Sequence, residues 1–320
     1  QASAPRRLLV GEHHPSAARR CGQRGRQARR PAARDQYVAV RVAMLVAVLL
    51  CGQLSNGFVL LAFVVILGSA AIGFLDDVVK RNSLVKKGLS KSEKLALQFI
   101  LYAIVCSTLW FVQGGKPAAL SVPILGDRIL MGMLAYTAWG AFVLALASNA
   151  VNLTDGLDGL AAGCSVMTGL AFTVVVYVAG RVDFSHYLLI PYVPGCGELA
   201  VVGAALVGAC LGFLWFNCYP AQVFMGDTGS LTLGGVIGYL AFASRQEFVL
   251  LVLGSVFMIE VASVVLQVAS FRLFGRRLFR IAPIHHHFEF GGYHEAKVTV
   301  RFWILAAILA MAMILTLKLR

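Results

Sequence analysis

The chain has 320 residues, of which 59% are hydrophobic and only 13% charged. A soluble domain carries about a quarter charged residues, so a water-soluble globular fold is excluded and lipid is the indicated solvent. The formal net charge of +13 does not mark a nucleic-acid binder, because ten of the 28 Lys and Arg lie in residues 1–41, six in 80–94 and six in 272–301, beside apolar runs, as the positive-inside rule expects of cytoplasmic segments.

Residues 1–36 are rich in Arg, Ala and Gly and contain no apolar run. They lack the apolar core of a signal peptide. They are expected to be a disordered or non-native basic tail preceding one transmembrane domain, residues 37–320. Nine runs then approach the roughly 20 apolar residues that cross a bilayer: 37–54, 58–75, 95–113, 129–149, 159–180, 199–216, 230–244, 247–271 and 298–317. The expected fold is all-α, a polytopic transmembrane helix bundle. Between the fifth and sixth spans, residues 181–198 hold Pro191, Pro194, Gly195 and Gly197, and the alternation over Tyr187–Val193 admits a short β-hairpin.

With the basic tail inside, loops 76–94, 150–158, 217–229 and 272–297 fall on the cytoplasmic side. The outer loops then hold only Lys116, Arg128, Arg181 and Arg245. Charge asymmetry and alternation agree, although neither requires the other. The seven cysteines are scattered, and Cys106, Cys164 and Cys210 sit inside apolar runs as small hydrophobes. No disulfide is expected, with Cys196 in an outer loop the one candidate exception.

Acids beside membrane helices are costly and rarely idle. Asp76 and Asp77, Asp155 and Asp158, and Asp227 come from three loops, all assigned to the same face. Interfacial helix caps explain one such loop, less readily three. Oxygen ligands of this kind suit Mg²⁺, which takes one or two carboxylates plus substrate phosphates.

The stretch Asn152 to Gly159 is dense in cap and turn chemistry, and a helix beginning near Leu157 aims free N–H groups at an anion. Asn217 to Ser230 is similar: Pro220 breaks a helix, while Gly226 and Gly229 bracket Asp227. Phe224 is placed to stack on a base or sugar, although a lipid-facing or core aromatic is the commoner case. His285, His286 and His287 are adjacent, so they do not share one helix face. Zinc prefers two His four residues apart, so phosphate or sugar binding is favoured here. Lys80, Arg81, Lys86, Lys87, Lys91 and Lys94 serve orientation and headgroup attraction, and one or two of them suit a diphosphate. Together these features indicate phosphoryl transfer between a soluble anionic substrate and a lipid-bound one.

Three segments carry a resemblance: Asn149 to Gly159, Asn217 to Ser230, and above all Pro283-Ile284-His285-His286-His287-Phe288-Glu289 with Gly292-Tyr293-His294-Glu295. Over roughly residues 38–320 the chain resembles the phospho-N-acetylmuramoyl-pentapeptide-transferases, within the polyprenyl-phosphate N-acetylhexosamine-1-phosphate transferase family. The resemblance implies a Mg²⁺-dependent enzyme of the bacterial inner membrane with its site on the cytoplasmic face. UDP-MurNAc-pentapeptide and undecaprenyl phosphate would be its substrates, and lipid I and UMP its products, in peptidoglycan synthesis. Beyond substrates and bilayer, a homodimer is admitted and no nucleic acid is implied.

Carried over by motif, Asp227 resembles the Mg²⁺ ligand, and Asp76 and Asp77 the catalytic acids beside the lipid phosphate. Asn152, Asp155, Asp158, Asn217, Phe224 and Gln267 resemble nucleotide-pocket residues, and the three histidines bind phosphate or sugar. One departure stands out. The family ordinarily has a further span and a Thr-Pro-Thr-Met-Gly-Gly loop before residues 37–54, and residues 1–36 match neither, so activity of the chain as written is not implied. A sister transferase using UDP-N-acetylglucosamine is the nearest alternative, disfavoured by the His-rich loop. A secondary transporter is the alternative of a different class, and it predicts acids at mid-span rather than at helix ends.

Overall fold

Long apolar runs fold as helices because, in lipid, each backbone N–H and C=O must find its partner within the segment. The computed structural model describes residues 39–82, 89–115, 118–121 and 128–316. The expectations for residues 1–36, Lys86 and Lys87, and for the side chains of Lys80 and Arg81, lie outside the described residues.

The helices are α1 (Ala39–Cys51), α2 (Gly57–Asn82), α3 (Lys91–Val112), α4 (Met133–Thr154), α5 (Leu160–Ala179), α6 (Val182–Tyr187), α7 (Leu199–Asn217), α8 (Gly226–Ala243), α9 (Glu247–Leu253), α10 (Ser255–Phe274), α11 (Ile284–Phe290) and α12 (Glu295–Thr316). Among the described residues, seven helical segments, in α2, α3, α4, α5, α7, α10 and α12, are long and apolar enough to cross a membrane. The chain is a multi-pass membrane protein, and each expected span overlaps a helix, although α1, α8 and α9 are not among the seven.

At the centre stands α8, buried at every position from Thr228 to Ala243. Small residues make this possible, as is usual where membrane helices approach closely. A Cβ at Gly234 would collide with the backbone of Ala147 and Ser148 in α4, and one at Gly235 with the hydroxyls of Ser69 and Tyr102. Those two hydroxyls bond each other at 3.0 Å, joining α2 to α3 behind α8. At one end of the bundle Tyr239 donates to the carbonyl of Phe58 at 2.8 Å. The acids gather at the other end.

Two expectations need correction. The eighth span, read as one helix over 247–271, is two, α9 and α10, with the break at Gly254. The hairpin lies elsewhere: β1 (Ala118–Ser121) pairs antiparallel with β2 (Arg128–Met131), Ala118 opposite Met131. The loop 181–198 forms α6 and a 3₁₀ turn over Cys196–Glu198 instead. Asp183 occupies the favourable first turn of α6. Leu189, at φ 54°, ends it, and the Ile190 N–H closes back on the Ser185 carbonyl at 3.0 Å. Pro191 has no N–H for a ladder, and Val193 donates to Ala179 at 2.9 Å rather than to a strand. Cys196 is a free, buried thiol, so the candidate disulfide does not form.

Candidate active site

The first wall of the site is built on a glycine. At Gly73 an added Cβ would collide with the backbone of Asp227 and Thr228, so α2 and the start of α8 touch main chain to main chain. Asp77 thereby reaches the first turn of α8: its Oδ2 accepts from the Thr228 hydroxyl at 2.6 Å and from the Thr228 N–H at 3.4 Å. A helix N-terminus favours such a carboxylate. Asp76 is buried and accepts from the Leu89 N–H at 2.9 Å. Across from it, a capping box on Ser90 and Glu93 fixes the start of α3. That places Lys94 Nζ 2.9 Å from Asp227 Oδ2 and 3.4 Å from Asp76 Oδ2. Gly73→Leu is expected to lower the thermal midpoint and to cut turnover at the same time, since overpacking costs about 1–3 kcal/mol and here pushes two acid-bearing helices apart. Normal turnover per folded molecule would show that the close approach is not needed.

The turn from Asn152 to Gly159 forms the second wall. Asn152 accepts from the Ser230 hydroxyl at 2.7 Å, which ties it to α8. Asp158 accepts from the Ala221 N–H at 2.9 Å, while its own N–H donates to Glu295 at 3.0 Å. Gly159, at φ 74°, donates to Asn217 Oδ1 at 3.1 Å. Asn217 in turn donates to the Val223 carbonyl at 2.7 Å, and Trp303 to the Gly159 carbonyl at 3.1 Å. Asn217 and Asp158 therefore lash the turn to loop 218–225. Glu295 and Trp303 fasten it to α12. Phe224, on that loop, is 43% exposed.

Asp155 follows α4 directly. Burial, then the charges of Asp227 and Asp158, push its carboxyl up to about 7. An ordinary Asp titrates near ~3.9, so the folded protein binds the extra proton between about 4 and about 7. Stability of the metal-free protein should fall as pH rises through that window. Asp155→Asn should flatten the fall and raise the thermal midpoint at pH 8. Midpoints against pH for both proteins check this, and parallel curves would refute it.

The three histidines take three different partners. His285 is buried, with Nδ1 3.1 Å from Glu260 Oε2. His286 Nδ1 lies 3.0 Å from Glu289 Oε2. His287 Nδ1 accepts from the Arg280 N–H at 3.1 Å. Gln267 is also tied to this basic loop: Oε1 accepts from Leu278 at 3.1 Å and Phe279 at 2.8 Å, and Nε2 donates to the Phe279 carbonyl at 3.1 Å. It lines a groove with Val268, Phe271, Arg272, Arg277 and Arg280.

A family model described as glycosyl transferase family 4 matches residues 59–245. The phospho-N-acetylmuramoyl-pentapeptide-transferase of Desulfovibrio desulfuricans is 46% identical over 279 residues, 87% of this chain and 78% of the relative. That of Thermodesulfovibrio yellowstonii is 45% identical over 285 residues, 88% of this chain and 79% of the relative. The chain belongs to glycosyl transferase family 4.

In this transferase the structure brings Asp76, Asp77 and Asp227 together, with Asn152 and Asp155 alongside on α4 and its following turn. It ties Gln267 and His287 to the basic loop instead. Among the described residues no group of three or more His, Cys, Asp or Glu converges as a cage for a metal. Sequence reasoning missed Gly73, Glu260 and Trp303. Only Glu260 left a signal, as an acid inside an apolar span.

Proposed function

We propose that the chain transfers phospho-MurNAc-pentapeptide from UDP-MurNAc-pentapeptide to undecaprenyl phosphate. The products are lipid I and UMP, and the site faces the cytoplasm at the bacterial inner membrane. The observation carrying this is that three separate acid-bearing segments meet at one end of a membrane bundle, with Lys94 joining Asp76 to Asp227. The two transferase relatives supply the substrate class.

The reaction requires an oxygen of the lipid phosphate to attack the sugar-bearing phosphorus. The bond from that phosphorus to the bridging oxygen breaks, and UMP leaves with the oxygen. A phosphate monoester has its second pKa near ~6, so the attacking group is already largely a dianion. Positioning and charge neutralisation then do most of the catalysis. Lys94 supplies one fixed positive charge. Asp227, with Asp155 beside it, would hold Mg²⁺: the donors are all oxygen, and burial together with the charges of Asp227 and Asp158 raises Asp155. Mg²⁺ needs only one or two carboxylates when phosphates complete its shell, and when bound it neutralises charge on the diphosphate. Asp76 and Asp77 flank the entry of the lipid phosphate, with Asp77 held by Thr228. Asn152 and Phe224 line the nucleotide side. Asn217 and Asp158 hold that side in shape.

UMP release from purified protein, Mg²⁺, undecaprenyl phosphate and each UDP-sugar is the direct test. Release with the muramoyl pentapeptide is expected. Release only from UDP-N-acetylglucosamine would make the sister activity the correct one.

A further inference from the structure

His285 is fully buried, and so is Glu260 of α10. An acid within a membrane-crossing helix is costly unless it has a partner. His285 Nδ1 sits 3.1 Å from Glu260 Oε2, and the His285 N–H 3.4 Å from the same oxygen. The ring nitrogen is at ion-pair distance but not aligned as a hydrogen bond, so the contact is electrostatic. Glu260 Oε1 and His285 Nε2 have no hydrogen-bond partner. Nε2 points instead at Gly156, where an added Cβ would collide with the imidazole edge. Gly156 lies between Asp155 and Asp158 on the turn described above. A continuous path therefore runs from α10, through the imidazole, into that turn.

We propose that Glu260 is a positioning residue: it holds the His285 ring beneath Gly156 and so sets the shape of the 152–159 turn. This rests on the reading of that turn as the nucleotide side of the site. Rotating the ring outward would strand a buried carboxyl, which is far costlier than keeping the pair. His285 thus differs from His286 and His287, whose partners are Glu289 and the Arg280 backbone. Its work is done from inside, without touching substrate.

Hydrogen–deuterium exchange on the full chain tests this without any need for turnover. In Glu260→Ala, amides over 152–159 should exchange about tenfold faster, the scale of one lost buried polar contact. Exchange at the start of α8 should stay unchanged. Gly156→Ala pushes the same ring from the other side and should give the same local change, and Glu260→Gln a smaller one. Should Glu260→Ala fail to fold, these two carry the readout. In the transfer assay KM for the UDP-sugar should rise about tenfold while KM for the polyprenyl phosphate stays within about twofold. Unchanged exchange over 152–159, a uniform rise along the chain, or an equal shift in both KM values overturns the proposal. A wild type that releases no UMP would sink the proposed reaction instead, and the exchange result would still decide the role of Glu260.

Discussion

Asp227→Asn is expected to lower turnover by about 10³-fold, at the upper end of what removing one preorganised electrostatic group costs. The substitution keeps the size and shape of the side chain. Asp227 lies in the first turn of α8, whose position is fixed by the main-chain contact with Gly73 and by Thr228 holding Asp77. The fold should therefore survive, and the thermal midpoint should change little. What is lost is a carboxylate beside Lys94 and Asp155, the one proposed to share a divalent cation with the diphosphate. A Mg²⁺ titration of UMP release separates this from a general defect: saturation should need far more metal, or not be reached. Turnover within tenfold of wild type at ordinary Mg²⁺ would remove Asp227 from the metal site.

Much of this arrangement was legible in the sequence because a membrane leaves few options. Apolar length forces helix, and charge asymmetry orients it, so the all-helical bundle and the gathering of Asp76, Asp77, Asp155, Asp158 and Asp227 at one end followed directly. What stayed hidden depends on side-chain direction. Asn217 and Asp158 read as ligand-facing polar residues, yet their nearest partners are backbone groups of neighbouring loops. Three adjacent histidines cannot face one point, which the pattern shows, but the one that turns inward, His285, meets Glu260, 25 residues away. The hairpin was misplaced because alternation over Tyr187–Val193 is short enough for Pro191 and a left-handed Leu189 to override it. The glycine at 73 looked like any small residue in an apolar span until α8 was seen against it.

Lys94 should prove nearly as sensitive as Asp227, for a different reason. Its side chain is 13% exposed and that of Asp76 4%, and it bonds two carboxylates from two helices. Lys94→Met would remove a part-buried cation from beside Asp76 and Asp227, and removing one partner of a buried ion pair costs about 3–5 kcal/mol. A lower thermal midpoint is expected, together with a loss of turnover of roughly 10²-fold or more, since the same ammonium is proposed to neutralise the incoming phosphates. Lys94→Arg separates the two effects. It retains the charge, so the midpoint should largely recover. A planar guanidinium, however, is wider than the compact ammonium that fits between two single oxygens, so turnover should stay depressed. Midpoint and UMP release measured on all three proteins decide the matter. Full activity in Lys94→Arg would mean that charge alone is required at this position. Full activity in Lys94→Met would mean that the bridge between Asp76 and Asp227 holds the resting bundle together without entering the reaction.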